Sequence, residues 1–270
     1  MKPDLCSRMI GVILAAGKGT RMRPYSNAIN KEMSLIGESP VIEYNVKALA
    51  DAGVRKAFIV LGEGKWQIFE YLRDGSRFNI ALSYIYQDLG EKEEKKGTAK
   101  AIQVAEEWVN DDFIVIYGDS FFYPYDFLRS EIELHLKEKA DVTMGIYMMK
   151  EYKDYGIVKT HGGRVVDILE KATEEEAEKT KVDGMFAVNS GPIVFTREVF
   201  SYIGRTPVSP AGEYWITDTI RLMIKDGKKV LAYRIPEGVF WRDIGRMKHR
   251  TEAEAYLLSK HSDYNMLNRK

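Results

Sequence analysis

Leu14-Ala15-Ala16-Gly17-Lys18-Gly19-Thr20-Arg21-Met22-Arg23-Pro24, with Lys31 shortly after it, is the stretch from which the rest of the chain is read. It follows Met9-Ile10-Gly11-Val12-Ile13-Leu14, a continuous apolar run with the character of a buried strand. The run then breaks into small residues, which let backbone N–H groups approach an anion closely. Arg21 and Lys31 bring positive charge to the same place, so the stretch points to a site for a nucleoside triphosphate.

Two better-known phosphate loops do not fit. A P-loop places lysine directly before Ser or Thr, whereas Gly19 separates Lys18 from Thr20. The dinucleotide fingerprint needs a third small residue where this chain has Met22. A plain glycine-rich turn would account for Gly17 and Gly19 but leaves Thr20-Arg21, Pro24 and Lys31 without a role.

The chain has 270 residues, 45% of them hydrophobic, enough to bury a full core, and no Ser/Gly-rich or Pro-rich linker divides it. Lys and Arg balance Asp and Glu at 40 each, which leaves no overall field to attract nucleic acid or an anionic membrane. A small-molecule partner is expected. The single cysteine, Cys6, excludes an intrachain disulfide and suits a reducing, cytoplasmic setting. No apolar stretch reaches the roughly 20 residues a bilayer-spanning helix needs.

Strand and helix signals alternate through the first half. Strands are expected at 9–14, 57–61, 82–87 and 113–117, and helices at 41–52, 66–73, 98–109 and 125–138. Such alternation predicts an α/β fold, Rossmann-like, with a mixed, mostly parallel central sheet covered by helices on both faces. Strands at 142–149, 156–160, 165–169 and 185–195 follow closely on one another and predict a small antiparallel or mixed extension lying against the first half. Two short helices, a strand at 230–235 and a helix after Gly245 complete the chain, and the charged segment 174–181 reads as a solvated helix or loop.

Gly118-Asp119-Ser120 closes the most apolar strand, and ligands of parallel sheets sit at such strand ends. A carboxylate there either holds Mg²⁺ on substrate phosphates or caps the following turn. Asp243, within Phe240-Trp241-Arg242-Asp243-Ile244-Gly245, reads either as a second metal ligand or as a helix N-cap. Glu170-Lys171 ends a strand with adjacent opposite charges.

Taken together and in order, these parts resemble the sugar-1-phosphate nucleotidyltransferases, or nucleotide-sugar pyrophosphorylases, and their thymidylyl- and uridylyltransferase members. The resemblance runs from about residue 10 to 255. It takes in the opening loop with Lys31, Gln87, Gly97-Thr98-Ala99, Gly118-Asp119, Tyr155-Gly156, Glu170-Lys171 and Asn189-Ser190-Gly191. It continues through Gly212-Glu213, Ile216-Thr217-Asp218 and Trp241-Arg242-Asp243-Ile244-Gly245.

The resemblance implies that Leu14, Ala15, Ala16, Gly17, Gly19, Thr20, Arg21, Gln87, Gly97, Thr98 and Gly118 bind the nucleotide. Tyr155, Gly156, Glu170, Lys171 and Asn189 would bind the sugar, and Asp119 and Asp243 would hold Mg²⁺. Arg21, Lys31, Lys171 and Asp119 would carry the catalysis, with Glu213 and Asp218 supporting the site from behind. The implied substrates are dTTP or UTP and glucose 1-phosphate. CMP or GMP transfer to mannose 1-phosphate or a polyol phosphate is the alternative, and a non-catalytic, nucleotide-sugar-binding regulator is an alternative of another class.

Residues 1–140 would form mainly the nucleotide half of one domain, 141–250 mainly the sugar half, and 251–270 a helix and tail without a β-helix domain. Homo-oligomers, dimers or tetramers, occur among relatives. The attacking phosphate is already ionised at neutral pH, so no general base is required, and His135, His161, His249 and His261 are expected at the surface. Three features depart from the family pattern: Asn30 and Glu32 replace the prolines that usually flank the loop lysine, 88–96 is a long charged insertion, and a charged segment replaces the usual proline after Lys171. Glu32 would either lower phosphate affinity or reshape the loop.

Overall fold

The computed structural model describes residues 5–90 and 94–267, with side chains described for 6–90 and 94–260. Glu91, Lys92 and Glu93 of the charged insertion lie outside the described residues, as does the side chain of His261. The opening apolar run forms β1 (Ile10–Ala15), in which Val12, Ile13 and Ala15 have no exposed surface. Side chains alternate across a strand, so Ile13 and Ala15 enter one core while Val12 and Leu14 enter a second.

A hairpin of β2 (Leu35–Ile36) and β3 (Ser39–Pro40) leads into α1 (Val41–Asp51). The alternation continues with β4 (Lys56–Leu61), α2 (Trp66–Leu72), β5 (Ala81–Tyr86), α3 (Thr98–Gln103) and β6 (Phe113–Tyr117). Next come β7 (Ser120–Tyr123), α4 (Leu128–Glu138), β8 (Val142–Met149), β9 (Ile157–His161), β10 (Arg164–Leu169) and α5 (Glu174–Glu178). The chain ends with β11 (Phe186–Phe195), α6 (Val199–Ile203), α7 (Ile216–Lys225), β12 (Val230–Arg234), β13 (Phe240–Asp243) and α8 (Met247–Leu267).

Nine strands make one sheet in the order β5-β4-β1-β6-β11-β8-β12-β10-β9. The β5-β4-β1-β6 portion is parallel. β11 then pairs antiparallel with both β6 and β8. β8 and β12 are parallel, and β12, β10 and β9 alternate in direction. The fold class is as expected, but the later strands do not lie against the parallel half. They continue it edge to edge through the β6–β11 pairing, because β11 is ten residues long with apolar runs at both ends, and central placement buries nine of the ten.

Helices cover both faces. Ile42 and Leu49 of α1, Ile68 of α2 and Ile132 of α4 pack into one core, and Ile102 of α3, Phe200 of α6 and Ile220 of α7 pack into the other. Each such side chain contributes about 2 kcal/mol by leaving water. The helix expected over 98–109 ends at Gln103 and is followed by a separate 3₁₀ turn at Glu106–Trp108. The charged 174–181 segment holds α5, whose N-cap Thr173 forms a reciprocal capping box with Glu176.

Sequence reading missed the ribbon of β7 and β13, which pairs Ser120 with Asp243 and Phe122 with Trp241. Met22, Phe121, Ile244 and Leu257 form a third core that joins this ribbon to α8. Two histidines also depart from expectation. His135 is wholly buried, its Nδ1 3.0 Å from Thr143 Oγ1, and His249 is only 4% exposed. His161 is exposed, as expected. Among the described residues, no helix is long and apolar enough to cross a membrane.

Candidate active site

A cavity of about 460 Å³ opens where β1 and β6 end. Leu14, Ala16, Gly17, Thr20, Gln87, Gly97 and Thr98 line it, together with Lys31 and Asp119. Ala15 does not, because alternation along β1 turns its side chain into the opposite core. Gly118 acts through its backbone, donating its N–H to the Leu14 carbonyl at 2.9 Å and so tying the two strand ends together. Lys18, Tyr117 and Glu213 also line the cavity, and a wider cleft of about 820 Å³ adjoins it through Ala16, Lys18, Lys31 and Gln87.

The loop is shaped by two glycines that need their conformations. Gly19 sits at φ 66°, the left-handed region, where it starts a 3₁₀ turn, and Ser26 Oγ donates to its carbonyl at 2.8 Å. Gly97 has φ 113°, and a Cβ there would lie 2.3 Å from the Tyr214 carbonyl oxygen. Two expected nucleotide ligands are partly engaged in holding this region: Thr98 Oγ1 accepts from the Ile216 N–H at 3.0 Å, and Gln87 Nε2 donates to the Lys95 carbonyl at 3.1 Å.

The β7–β13 ribbon brings Asp119 and Asp243 to one place, with the Ile244 N–H donating to the Asp119 carbonyl at 2.7 Å. Lys31 Nζ lies 2.6 Å from Asp119 Oδ2. Desolvation alone would lower the Lys31 pKa, but the Asp119 and Glu32 carboxylates outweigh it and raise it above its ordinary value. Asp243 Oδ1 accepts from Tyr155 OH at 2.6 Å and contacts His249 Nδ1 at 2.9 Å, while Arg21 Nη2 is 3.7 Å from Oδ2. Burial alone would raise the Asp243 pKa. The His249 and Tyr155 hydrogen bonds and the charges of His249 and Arg21 prevail and hold it at about 2.

Asp243 is therefore the last residue of a strand and not an N-cap, since α8 begins only at Met247. Two carboxylates suit a hard cation that completes its shell with water and phosphate oxygens. Among the described residues no group of three or more His, Cys, Asp or Glu could hold a metal ion. The pair thus fits a cation shared with substrate better than one caged by protein.

The expected sugar ligands gather on the Asp243 side. Tyr155 packs on Trp241 with ring centroids 4.9 Å apart, and the Asn189 N–H donates to the Gly156 carbonyl at 2.8 Å. Burial pushes the Tyr117 hydroxyl up, against the effect of its hydrogen bond with Asn189, which links this group to the cavity. Burial also raises Glu170, and the nearby Asp218 adds to the shift. Lys171 is exposed, in a left-handed conformation (φ 50°), with Nζ 5.2 Å from the centre of the Trp215 ring. Trp215 Nε1 in turn donates to Glu213 Oε2 at 3.2 Å, so Lys171 stands at the rim.

His249, in contact with Asp243, is the candidate site residue that sequence reading missed. It lies six positions after Asp243 across a strand-to-helix junction, a spacing with no helical or strand period to flag it.

An α/β sheet thus sets a glycine-shaped loop at the end of β1 beside two carboxylates that the β7–β13 ribbon brings together. The pattern of the nucleotidyl transferase family matches residues 10–260, and the chain belongs to that family. It is 30% identical to a UTP–glucose-1-phosphate uridylyltransferase of Haloferax volcanii, over 92% of this chain and 96% of that protein. It is 28% identical to a glucose-1-phosphate thymidylyltransferase of Neisseria meningitidis, over 92% and 82% respectively. Among solved structures, a UDP-glucose pyrophosphorylase complexed with UDP-glucose matches with a TM-score of 0.79 at 25% identity, over 93% of this chain and 99% of that one.

Proposed function

We propose that this chain joins dTTP or UTP to glucose 1-phosphate, forming the nucleoside diphosphate sugar and pyrophosphate. The observation that carries the reading is the pair of neighbouring ion pairs, Lys31 with Asp119 and Arg21 with Asp243, which the β7–β13 ribbon brings together beside the cavity. A phosphate oxygen of the sugar phosphate attacks the α-phosphorus in line, the bond to the bridging oxygen breaks, and pyrophosphate leaves on the opposite side. The opening loop and residues up to about 140 take the nucleotide, with Gln87 and Gly97 at the base. Residues 141–250 take the sugar through Tyr155, Gly156, Glu170 and Asn189.

Two anions must meet, so the cations decide the rate. Arg21 and Lys31 lie on the triphosphate, and Lys171 swings from the rim to the sugar phosphate. Mg²⁺, held by Asp119 and Asp243, supplies further neutralisation of the phosphates when bound. His249 and Tyr155 keep Asp243 ionised and aimed. A cytoplasmic setting suits such substrates and the single cysteine.

The test is a matrix of five nucleoside triphosphates against several sugar and polyol phosphates, with pyrophosphate release measured with and without Mg²⁺. Release is expected only when both substrates and Mg²⁺ are present, and fastest with dTTP or UTP and glucose 1-phosphate. Silence across the matrix would sink the reading. A preference for CTP or GTP would redirect it to CMP or GMP transfer.

A further inference from the structure

The segment bearing Lys31 is fastened on both sides to the start of α2. Asn30 Nδ2 donates to the Gly64 carbonyl at 3.1 Å, and the Asn30 N–H donates to Gln67 Oε1 at 3.0 Å. Gln67 Nε2 donates to the Ala28 carbonyl at 3.0 Å. Beyond Lys31, Lys65 Nζ donates to Glu32 Oε2 at 2.7 Å. The turn at Lys31–Met33 has no side-chain cap of its own, so these outside contacts are available to help place it.

The Glu32–Lys65 pair is almost wholly out of water, with side chains 1% and 4% exposed. Attraction repays the desolvation of such a pair only with good geometry and further hydrogen bonds, and Glu32 Oε1 has no partner among the described residues. The pair is a weak source of stability, but it can still fix a position. Glu32 also runs beneath the end of β6, where a Cβ on Gly118 would lie 3.3 Å from Glu32 Cγ, next to Asp119.

We propose that Lys65 and Gln67 are positioning residues, which through Glu32 and Asn30 hold the Lys31 ammonium over Asp119 and within reach of a substrate phosphate. The proposal rests on reading Lys31 as the phosphate-binding lysine. Glu32 beside Lys31 then serves as an anchor for the loop and does not compete for the lysine. Lys65 and Gln67 also border the wider cleft, so direct contact with the nucleotide is the rival explanation.

A double-mutant cycle separates the two. Lys65→Met and Gln67→Ala are placed in the wild-type chain and in Lys31→Ala, folding is checked by circular dichroism, and pyrophosphate release is followed. In the wild-type background, kcat/KM for the nucleotide falls roughly tenfold with Lys65→Met and about threefold with Gln67→Ala, while KM for the sugar phosphate holds. In Lys31→Ala both losses shrink to near nothing, because the group being positioned is gone. Lys65→Arg, which keeps the charge, restores most of the rate. Equal losses in both backgrounds overturn the proposal.

Gln67 is exposed, so its variant is informative even if Lys65→Met unfolds. A crystal structure of Gln67→Ala supports the proposal if Lys31 has left Asp119, and overturns it if Nζ remains at the wild-type 2.6 Å. This readout holds even for a chain silent with every substrate, a result that would defeat the proposed function alone.

Discussion

Asp119 and Asp243 are brought together by the β7–β13 ribbon, yet their surroundings hold them in opposite ways. Asp119 faces an ammonium on a flexible four-carbon stem, with Lys31 Nζ at 2.6 Å and still 17% exposed. Asp243 is gripped mainly by packed groups, a phenol on Trp241 and an imidazole 4% exposed at the start of α8, with the exposed Arg21 farther off at 3.7 Å. On the proposed reading, an incoming triphosphate would draw Lys31 away and leave the Asp119 carboxylate for a cation, whereas Asp243 would keep Tyr155 and His249. On that reading, one carboxylate stays fixed while the other is free to change partner.

The largest expected effect tests both sides of that contrast at once. Asp119→Asn and Asp243→Asn should each lower turnover by at least about a hundredfold, the scale of losing a main electrostatic stabiliser. Near-normal pyrophosphate release in either variant removes that residue from the metal assignment. The contrast itself predicts a second difference. Asp243→Asn should lower Tm more than Asp119→Asn, since it loosens contacts with Tyr155, His249 and Arg21, and equal Tm values would break the comparison.

A smaller effect isolates the fixed side. Tyr155→Phe deletes the 2.6 Å hydrogen bond to Asp243 and leaves the ring on Trp241. The Mg²⁺ concentration for half-maximal rate should rise about tenfold with the fold unchanged, as is usual when a ligand loses the group that orients it. An unchanged Mg²⁺ requirement would mean that His249 alone suffices, and the same titration on His249→Gln would then show the larger shift.

The loop side of the cavity was legible because its residues are local: β1, its small-residue loop and Lys31 lie within about twenty positions, where strand period and glycine chemistry act directly. The Asp243 half depends on long-range pairing. Ser120 meets Asp243 across more than a hundred residues, and neither four-residue strand of that ribbon is long enough to show a period. The histidine expectation failed for the same reason. His135 and His249 are buried by tertiary partners, Thr143 and Asp243, that local spacing does not reveal. The sheet was read correctly as parallel up to β6, but β11 bonds on both edges to strands of opposite direction, and only the assembled order shows that.

A third buried carboxyl, Glu131, sharpens the contrast: unlike either aspartate, it has no hydrogen-bond partner for either oxygen among the described residues. It lies fully buried on α4, one turn before His135, and burial pushes its pKa well above the ordinary 4.5. The folded chain therefore keeps Glu131 protonated at a pH where the unfolded chain has released the proton. Stability present below 4.5 must be lost as pH rises from there towards the folded-state pKa. Glu131→Met, of similar size and without the charge to bury, should raise Tm at pH 8 by roughly 2–4 °C, the response of a chain this size to about 1 kcal/mol. The gain should shrink as pH falls towards 4.5 and below, where the unfolded chain regains the proton that the folded chain keeps. A difference independent of pH, followed by thermal melts from pH 4.5 to 8, would show that Glu131 has a charged partner after all and that burial without pairing is not what sets it apart from Asp243.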